Sequence, residues 1–160
     1  MQLQIRPFQQ DDTADIVDLS LRAWEPVFES LEAALGRTIL LRLHPDWRSD
    51  QRRAVEEVLA TEAIDVWVAV LAEGVAGFAA TKLIAEKRMG EVYMIAVDPR
   101  YQNAGVAAQL LSFVLDRMRD SGMTVAMVET GGDPGHAPAR HVYEKTGFTL
   151  LPIARYFKAL

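Results

Sequence analysis

The chain contains no cysteine in its 160 residues, which excludes disulfides, thiolate metal sites and a cysteine nucleophile. Histidine is scarce, and His44, His136 and His141 are all that is available for imidazole chemistry. The last two stand five apart, not at the i, i+4 spacing that sets two ligands on one helical face, so no metal site is expected. Basic residues number 17 against 22 acidic ones, for a net charge of -5. That is opposite to the footprint of a protein that tracks phosphate backbones, so nucleic acid is not an expected partner. Long apolar runs are missing, and the first residues read QLQIRPF rather than a charged start followed by an apolar stretch. Neither a membrane span nor an export signal is expected, which points to a soluble, cytoplasmic protein. The lysine of a P-loop and the GxGxxG of a dinucleotide fold are also missing. No repeat, low-complexity tract or linker divides the chain, so residues 1–160 are expected to form a single domain.

The composition that remains, 50% hydrophobic and 24% charged, is that of a chain able to bury a core. "LQIRPF" reads as a strand, and Asp11, Asp12 or Thr13 can cap a helix running toward Trp24. Pro26 is expected to break or kink that helix, which restarts as "EPVFESLEAALG" and stops at Gly36. "WRSDQRRAVEEVLA" reads as a further helix capped by Ser49 or Asp50. The pattern then becomes β-rich, with two runs in "IDVWVAVLAEGVAGFAATKLIA" joined near Glu73-Gly74 and a third in "GEVYMIAVD". A helix over 104–121 follows, with Ala107, Leu111, Val114 and Met118 on one face and Gly122 as its stop. "MTVAMVET" is a strand, "ARHVYEK" a short helix, and "FTLLPIARYFKAL" one or two final strands divided at Pro152. This order predicts an α+β or α/β domain, one sheet with helices on both faces.

The junction "VDPRYQNAGVAAQLL" carries chemistry. A strand ends, and a short loop of small residues opens directly into the long helix, whose first free N–H groups and dipole favour an anion. Gly105 allows close backbone approach there, and Ala104, Ala107 and Ala108 leave room for a group as large as a pyrophosphate.

Two stretches stand out as motifs. In the first, Gln102, Asn103, Ala104, Gly105, Val106 and Ala107 follow the pattern Q or R, x, x, G, x, G or A. In the second, Ala139 is followed by Tyr143 four residues on and by Gly147 and Phe148 after four more. Together they resemble the GNAT superfamily of acetyl-coenzyme A dependent N-acetyltransferases, the first matching its pyrophosphate loop. The resemblance covers residues 64–150 well and implies a GNAT-like acyl-CoA N-acyltransferase fold, with a mixed, mostly antiparallel sheet. It implies acetyl-CoA as co-substrate, held by the loop and by backbone groups of Ile95, Ala96 and Val97. It further implies Tyr143 as general acid, Glu91 as base with Glu129 or a water as alternatives, and an acceptor pocket in the segment from Trp24 to Trp47, where Trp24 and Phe28 are candidate walls. Two departures stand out: Gln102 replaces the more usual arginine, and His136 stands where the family commonly has an asparagine touching the pantetheine arm.

The reaction expected is direct transfer of acetyl to a primary amine of a small molecule or a peptide within a ternary complex. Asp11, Asp15, Asp18, Glu25, Glu29 and Glu32 recur at about 3.5-residue spacing; if that stripe borders the cleft, it favours a cationic acceptor. Arg100 and Arg140 read as surface charges or as aids to phosphate binding. A non-catalytic acyl-CoA sensor would keep the loop and be indifferent to Tyr143. The apolar ending "LLPIARYFKAL" could supply an edge strand to a second copy, giving a homodimer.

Overall fold

The computed structural model describes residues 2–160. Its elements run β1 (Gln4–Pro7), α1 (Thr13–Leu35), α2 (Arg37–Leu43), α3 (Trp47–Ala60), β2 (Asp65–Leu71), β3 (Gly74–Ile84), β4 (Met89–Val97), α4 (Val106–Asp120), β5 (Val125–Val128) and α5 (Ala137–Lys145). The five strands lie in chain order in one sheet. The first three pairings are antiparallel and β4 pairs with β5 in parallel. α4 makes the crossover that a parallel pair requires.

Alternation along the strands divides the core between two faces. On one face Val66, Val68, Phe78, Ala80 and Ala96 meet Ile16, Val17 and Leu19 of α1 and Val55 and Val58 of α3. On the other, Ala69, Ala76, Ala79 and Val92 meet Val106, Leu110, Leu111, Val114 and Met118 of α4. A Cβ on Gly90 would lie 2.4 Å from the Met118 sulfur, so the absence of a side chain there lets α4 settle on β4. The buried face of α4 is the expected one with Val106 and Leu110 added; Ala107 lies at its edge.

Four expectations need correction. α1 is one 23-residue helix that passes through Pro26. Pro26 is solvent-exposed, so the carbonyl it leaves unbonded can face water. Buried side chains before and after it, Leu19 and Ser20 on one side and Phe28 on the other, hold both halves against the core, and packing overrides a local cost of about 3 kcal/mol. α2 was not anticipated: Gly36, at φ 82, ends α1 and a seven-residue helix starts at once. α3 begins earlier than expected, capped by the Asp46 side chain on the Ser49 N–H at 3.2 Å. Finally, residues 149–160 form no strand, and every one of them is exposed.

Candidate active site

β4 and β5 pair only from Met89 to Val92 and from Val125 to Val128. Beyond that point they part. β4 runs on through Tyr93–Val97, bonded to β3 alone, for about 16 Å at roughly 3.3 Å per residue. The backbone of Ile95, Ala96 and Val97 thus has one open edge. The register of β4 on β3 shifts between Ala80 and Thr81, whose partners are Met94 and Val92, so that Tyr93 is the extra residue of a β-bulge. A bulge bends a strand and increases its twist, which directs the last part of β4 away from β5.

Helix α1 lies across the open end. Asp98, directly after β4, is wholly buried and takes the Arg22 Nη2 of α1 at 2.6 Å. It also takes Nη2 of Arg100 at 2.7 Å and the Arg100 backbone N–H at 3.0 Å. Burial pushes the Asp98 carboxyl up, but the bonds from Arg100 and Arg22 outweigh it and hold the group well below the usual carboxylate range. Beyond β5, Ser30 of α1 donates its hydroxyl to Asp133 at 2.6 Å and accepts the Gly135 N–H at 2.8 Å. His136 Nδ1 lies 2.5 Å from the other Asp133 oxygen. Burial raises the Asp133 carboxyl too, and the bonds from Ser30 and His136 bring it below its ordinary value. Arg140 donates to the carbonyls of Gly131 at 2.6 Å and Asp133 at 2.8 Å. Arg100 and Arg140 are therefore structural ties rather than free surface charges.

At the open end of β4 stands the loop of residues 102–105. Asn103 and Gly105 have positive φ, 63 and 79, the left-handed turn that glycine adopts without a steric penalty. Gly105 is the N-cap of α4, and no side chain caps the helix. The first bond runs from the Gln109 N–H to the Gly105 carbonyl at 3.1 Å. The N–H groups of Val106, Ala107 and Ala108 lie ahead of it, free for an anion. A Cβ at Gly105 would meet nothing nearer than Gln109 Nε2 at 3.9 Å, so the glycine is required by its φ and not by crowding. Gln102, Asn103 and Ala104 are exposed on this loop. The residues fit a phosphate group: open backbone donors, a positive helix end and little side-chain bulk.

Tyr143 on α5 packs against the α4 side of the sheet, in the same apolar cluster as Ile95 and Val97. Its ring meets Phe148 edge-on at 6.0 Å. Burial pushes its phenol up to about 12, so it holds its proton at every physiological pH. Glu91 precedes the bulge, and this overturns the placement of Glu91 with Ile95 and Val97 that unbroken alternation would give. Gly90 and Val92 face α4; Glu91 therefore faces the α1 side with Met94 and Ala96. It is half-buried and stands opposite Lys82, whose ammonium lies 3.6 Å above the Tyr93 ring. Glu129 follows β5 and is exposed.

Trp24 and Phe28 have a packing role. Phe28 is 8% exposed and stacks on Trp47 of α3 at 4.5 Å; Trp24 leans on the α1 core cluster. Phe28 is closed off from an open pocket wall by that stack. The acidic residues of the stripe on α1 are all exposed, and Glu25 pairs with Arg48 at 2.8 Å. Sequence reasoning passed over Arg22, Ser30, Asp98 and Asp133, the residues that tie α1 across the opening. The signal available was the repeated Asp-Pro after each of the two strands.

Among the described residues, no helix is long and apolar enough to cross a membrane. The chain resembles mycothiol acetyltransferase of Streptomyces bingchenggensis, 28% identical over 153 residues that cover 90% of this chain and 49% of that protein. The same enzyme of Thermomonospora curvata is 30% identical over 154 residues, 92% of this chain and 51% of the other. The chain thus spans about half the length of these curated relatives. Among solved structures, the PaiA N-acetyltransferase of Thermoplasma acidophilum in complex with coenzyme A superposes with a TM-score of 0.70 at 15% identity, covering 96% of this chain and 94% of that one. An aminoglycoside acetyltransferase from a soil metagenomic sample, in complex with sisomicin, gives 0.64 at 19% identity, covering 99% and 96%. Residues 24–148, from within α1 to the Gly-Phe after α5, match the family described as Acetyltransferase (GNAT) family. With parted strands, an uncapped α4 and both motifs in place, the chain belongs to the GNAT acetyltransferase family.

Proposed function

We propose that residues 1–160 act as one cytoplasmic domain that transfers acetyl from acetyl-CoA directly to a primary amine, within a ternary complex. The observation that carries this reading is the open edge of β4 leading into the uncapped start of α4. An extended pantetheine arm adds to that edge through Ile95, Ala96 and Val97. The pyrophosphate rests on the backbone donors of Gln102 to Ala107. His136, fixed by Asp133, borders the arm where an asparagine is more usual. The neutral amine attacks the thioester carbonyl: a C–N bond forms, the C–S bond breaks and the electron pair leaves on sulfur. A backbone N–H beside the arm stabilises the oxyanion.

Tyr143 keeps its proton until sulfur departs, because its phenol is raised to about 12. It then donates a hydrogen bond to the thiolate, whose conjugate acid titrates near 8.5 by analogy with cysteine. The ammonium proton leaves to Glu91, or through a water, on the α1 side. The amine is read as cationic, because the stripe of Asp15, Asp18, Glu25, Glu29 and Glu32 is exposed along the helix that crosses the opening. Trp24 and Phe28 support that helix from behind.

The test is thiol release from acetyl-CoA over aminoglycosides, polyamines, amino acids and peptides, beside Tyr143→Phe. Turnover with a cationic amine and a loss of about 10²–10⁴-fold in kcat for the variant, with coenzyme A binding retained by calorimetry, is the expected result. Binding without turnover on any amine would favour a sensor. Failure to bind coenzyme A would sink the reading.

A further inference from the structure

Of the chain's 17 basic residues only four are lysines, Lys82, Lys87, Lys145 and Lys158. Arginine stays protonated, so side-chain amine chemistry is confined to these four. Lys87, Lys145 and Lys158 are exposed, and Lys82 alone is half-buried. It stands on β3 directly opposite Glu91 of β4, and side chains so placed share a face, with Cβ atoms about 4.5–5.5 Å apart. Yet Lys82 takes part in no ion pair among the described residues. Its ammonium is turned instead onto the Tyr93 ring, 3.6 Å from the centroid, a cation–π contact that holds the nitrogen over one point of β4.

That point is the bulge, where β4 parts from β5. On the function proposed above, on which this inference rests, the arm of acetyl-CoA starts at the loop of residues 102–105 and runs back along Val97, Ala96 and Ile95. Its reactive end then arrives at Tyr93, two residues or about 7 Å beyond Ile95. The chain's own ammonium thus occupies the place that suits a substrate ammonium: on an aromatic face, beside the carboxylate read as base and at the end of the arm. Tyr93 is 45% exposed, so its ring does not enclose the ammonium and Lys82 is free to swing from it. Because Lys82 is tethered to β3, its attack is intramolecular and needs no free amine to be captured from solution.

We propose that Lys82 is a site of automodification, to which the chain transfers acetyl from its own bound acetyl-CoA when no acceptor amine is present. The Lys82 nitrogen attacks the thioester carbonyl; a C–N bond forms and the C–S bond breaks with its electron pair on sulfur. Two of the three ammonium protons leave, one to Glu91 and one to sulfur by way of Tyr143. The amide that results carries no charge and gives up the cation–π contact. Acetylation therefore removes a competitor for the Tyr93 face, and a cationic acceptor meets that face without it.

The test is peptide mapping by mass spectrometry before and after incubation with acetyl-CoA and no amine. The proposal expects an acetyl group on Lys82, formed at a first-order rate that dilution of the protein leaves unchanged, with the exposed Lys87, Lys145 and Lys158 labelled far more slowly. Tyr143→Phe is expected to slow the labelling of Lys82 by about 10²-fold or more. Lys82→Arg is expected to lose the fast-forming acetyl while still binding coenzyme A by calorimetry. Equal labelling of all four lysines, or an unchanged rate at Lys82 in Tyr143→Phe, would mean uncatalysed acetylation and overturn the proposal. A rate that rises with protein concentration would overturn it as well, since one chain would then be modifying another. Turnover on added amines with Lys82 never labelled would defeat this inference alone; failure to bind coenzyme A would defeat it together with the catalytic reading.

Discussion

Asp98-Pro99 directly follows β4 and Asp133-Pro134 follows β5 after the four residues 129–132, and the two aspartates are bonded differently. Each stands before a 3₁₀ turn with proline in its first position, and each is tied to α1. Asp98 is wholly buried, caps its own turn and faces two guanidinium groups. Asp133 leaves its turn uncapped and gives its oxygens to a serine hydroxyl and to His136. The anchors on α1, Arg22 and Ser30, are eight residues apart, or about 12 Å along the axis. Two strands that start at ladder spacing are thereby held apart at their far ends by one helix. The charged tie sits at the loop read as holding phosphate, and the weaker tie at the loop that carries His136.

If that contrast is right, the two ties differ in strength. Asp98→Ala removes charge-assisted bonds and leaves the Arg100 N–H without its acceptor; we expect a loss of about 2–3 kcal/mol, read by urea unfolding with an unchanged m-value. Equal losses at Asp98 and Ser30 would break the comparison. The acid limb sharpens it. Asp98, Asp133 and Asp12 all have lowered carboxyls, Asp12 chiefly through its paired bonds to Arg6, at 2.8 Å each. A lowered carboxyl contributes stability above its unfolded value, near 4, and loses it as pH falls through the folded value. The melting temperature of Asp98→Asn is therefore expected to fall less steeply below about pH 4 than that of the unaltered chain.

Ser30→Ala comes next in size. It removes one donor and one acceptor from a half-buried site, so a loss of about 1 kcal/mol is expected. The variant also frees the loop that bears His136, and a rise in KM for acetyl-CoA with little change in kcat would place the tie on donor binding. A stability loss with unchanged kinetics would make Ser30 purely structural.

Much of this architecture was legible in the sequence because local signals and packing agree there. The α4 helix shows a clear apolar stripe, its loop needs a left-handed residue and has Gly105, and the turn of the β2–β3 hairpin, Ala72-Glu73, lies within one residue of the expected Glu73-Gly74. The failures came where a tertiary contact decides. Pro26 reads as a break, and only the buried Leu19, Ser20 and Phe28 on either side show why α1 continues. Tyr93 has no sequence mark of a bulge, so nothing in "GEVYMIAV" revealed that Glu91 and Ile95 face opposite ways. Arg22 and Ser30 read as ordinary helix positions because their partners lie 76 and 103 residues away. Residues 149–160 have strand composition without a strand, since composition cannot supply the partner edge.

An effect confined to alkaline pH is expected on α5, downstream of the weaker tie. Tyr143 titrates near 10 when unfolded and near 12 when folded, through burial. Between those values the unfolded chain binds fewer protons than the folded one, so stability falls with rising pH. The contribution of Tyr143 is fully present below about pH 10 and is lost as pH climbs through 12. Other tyrosines and the lysines titrate in the same region, so the informative quantity is the difference between the unaltered chain and Tyr143→Phe. The variant is expected to lose less stability than the unaltered chain from neutral pH into that window. Parallel curves would mean that the phenol is wetter than its packing beside Ile95 and Val97 implies, and the loop after β5 would then hold α5 less closely than the loop after β4 holds α4.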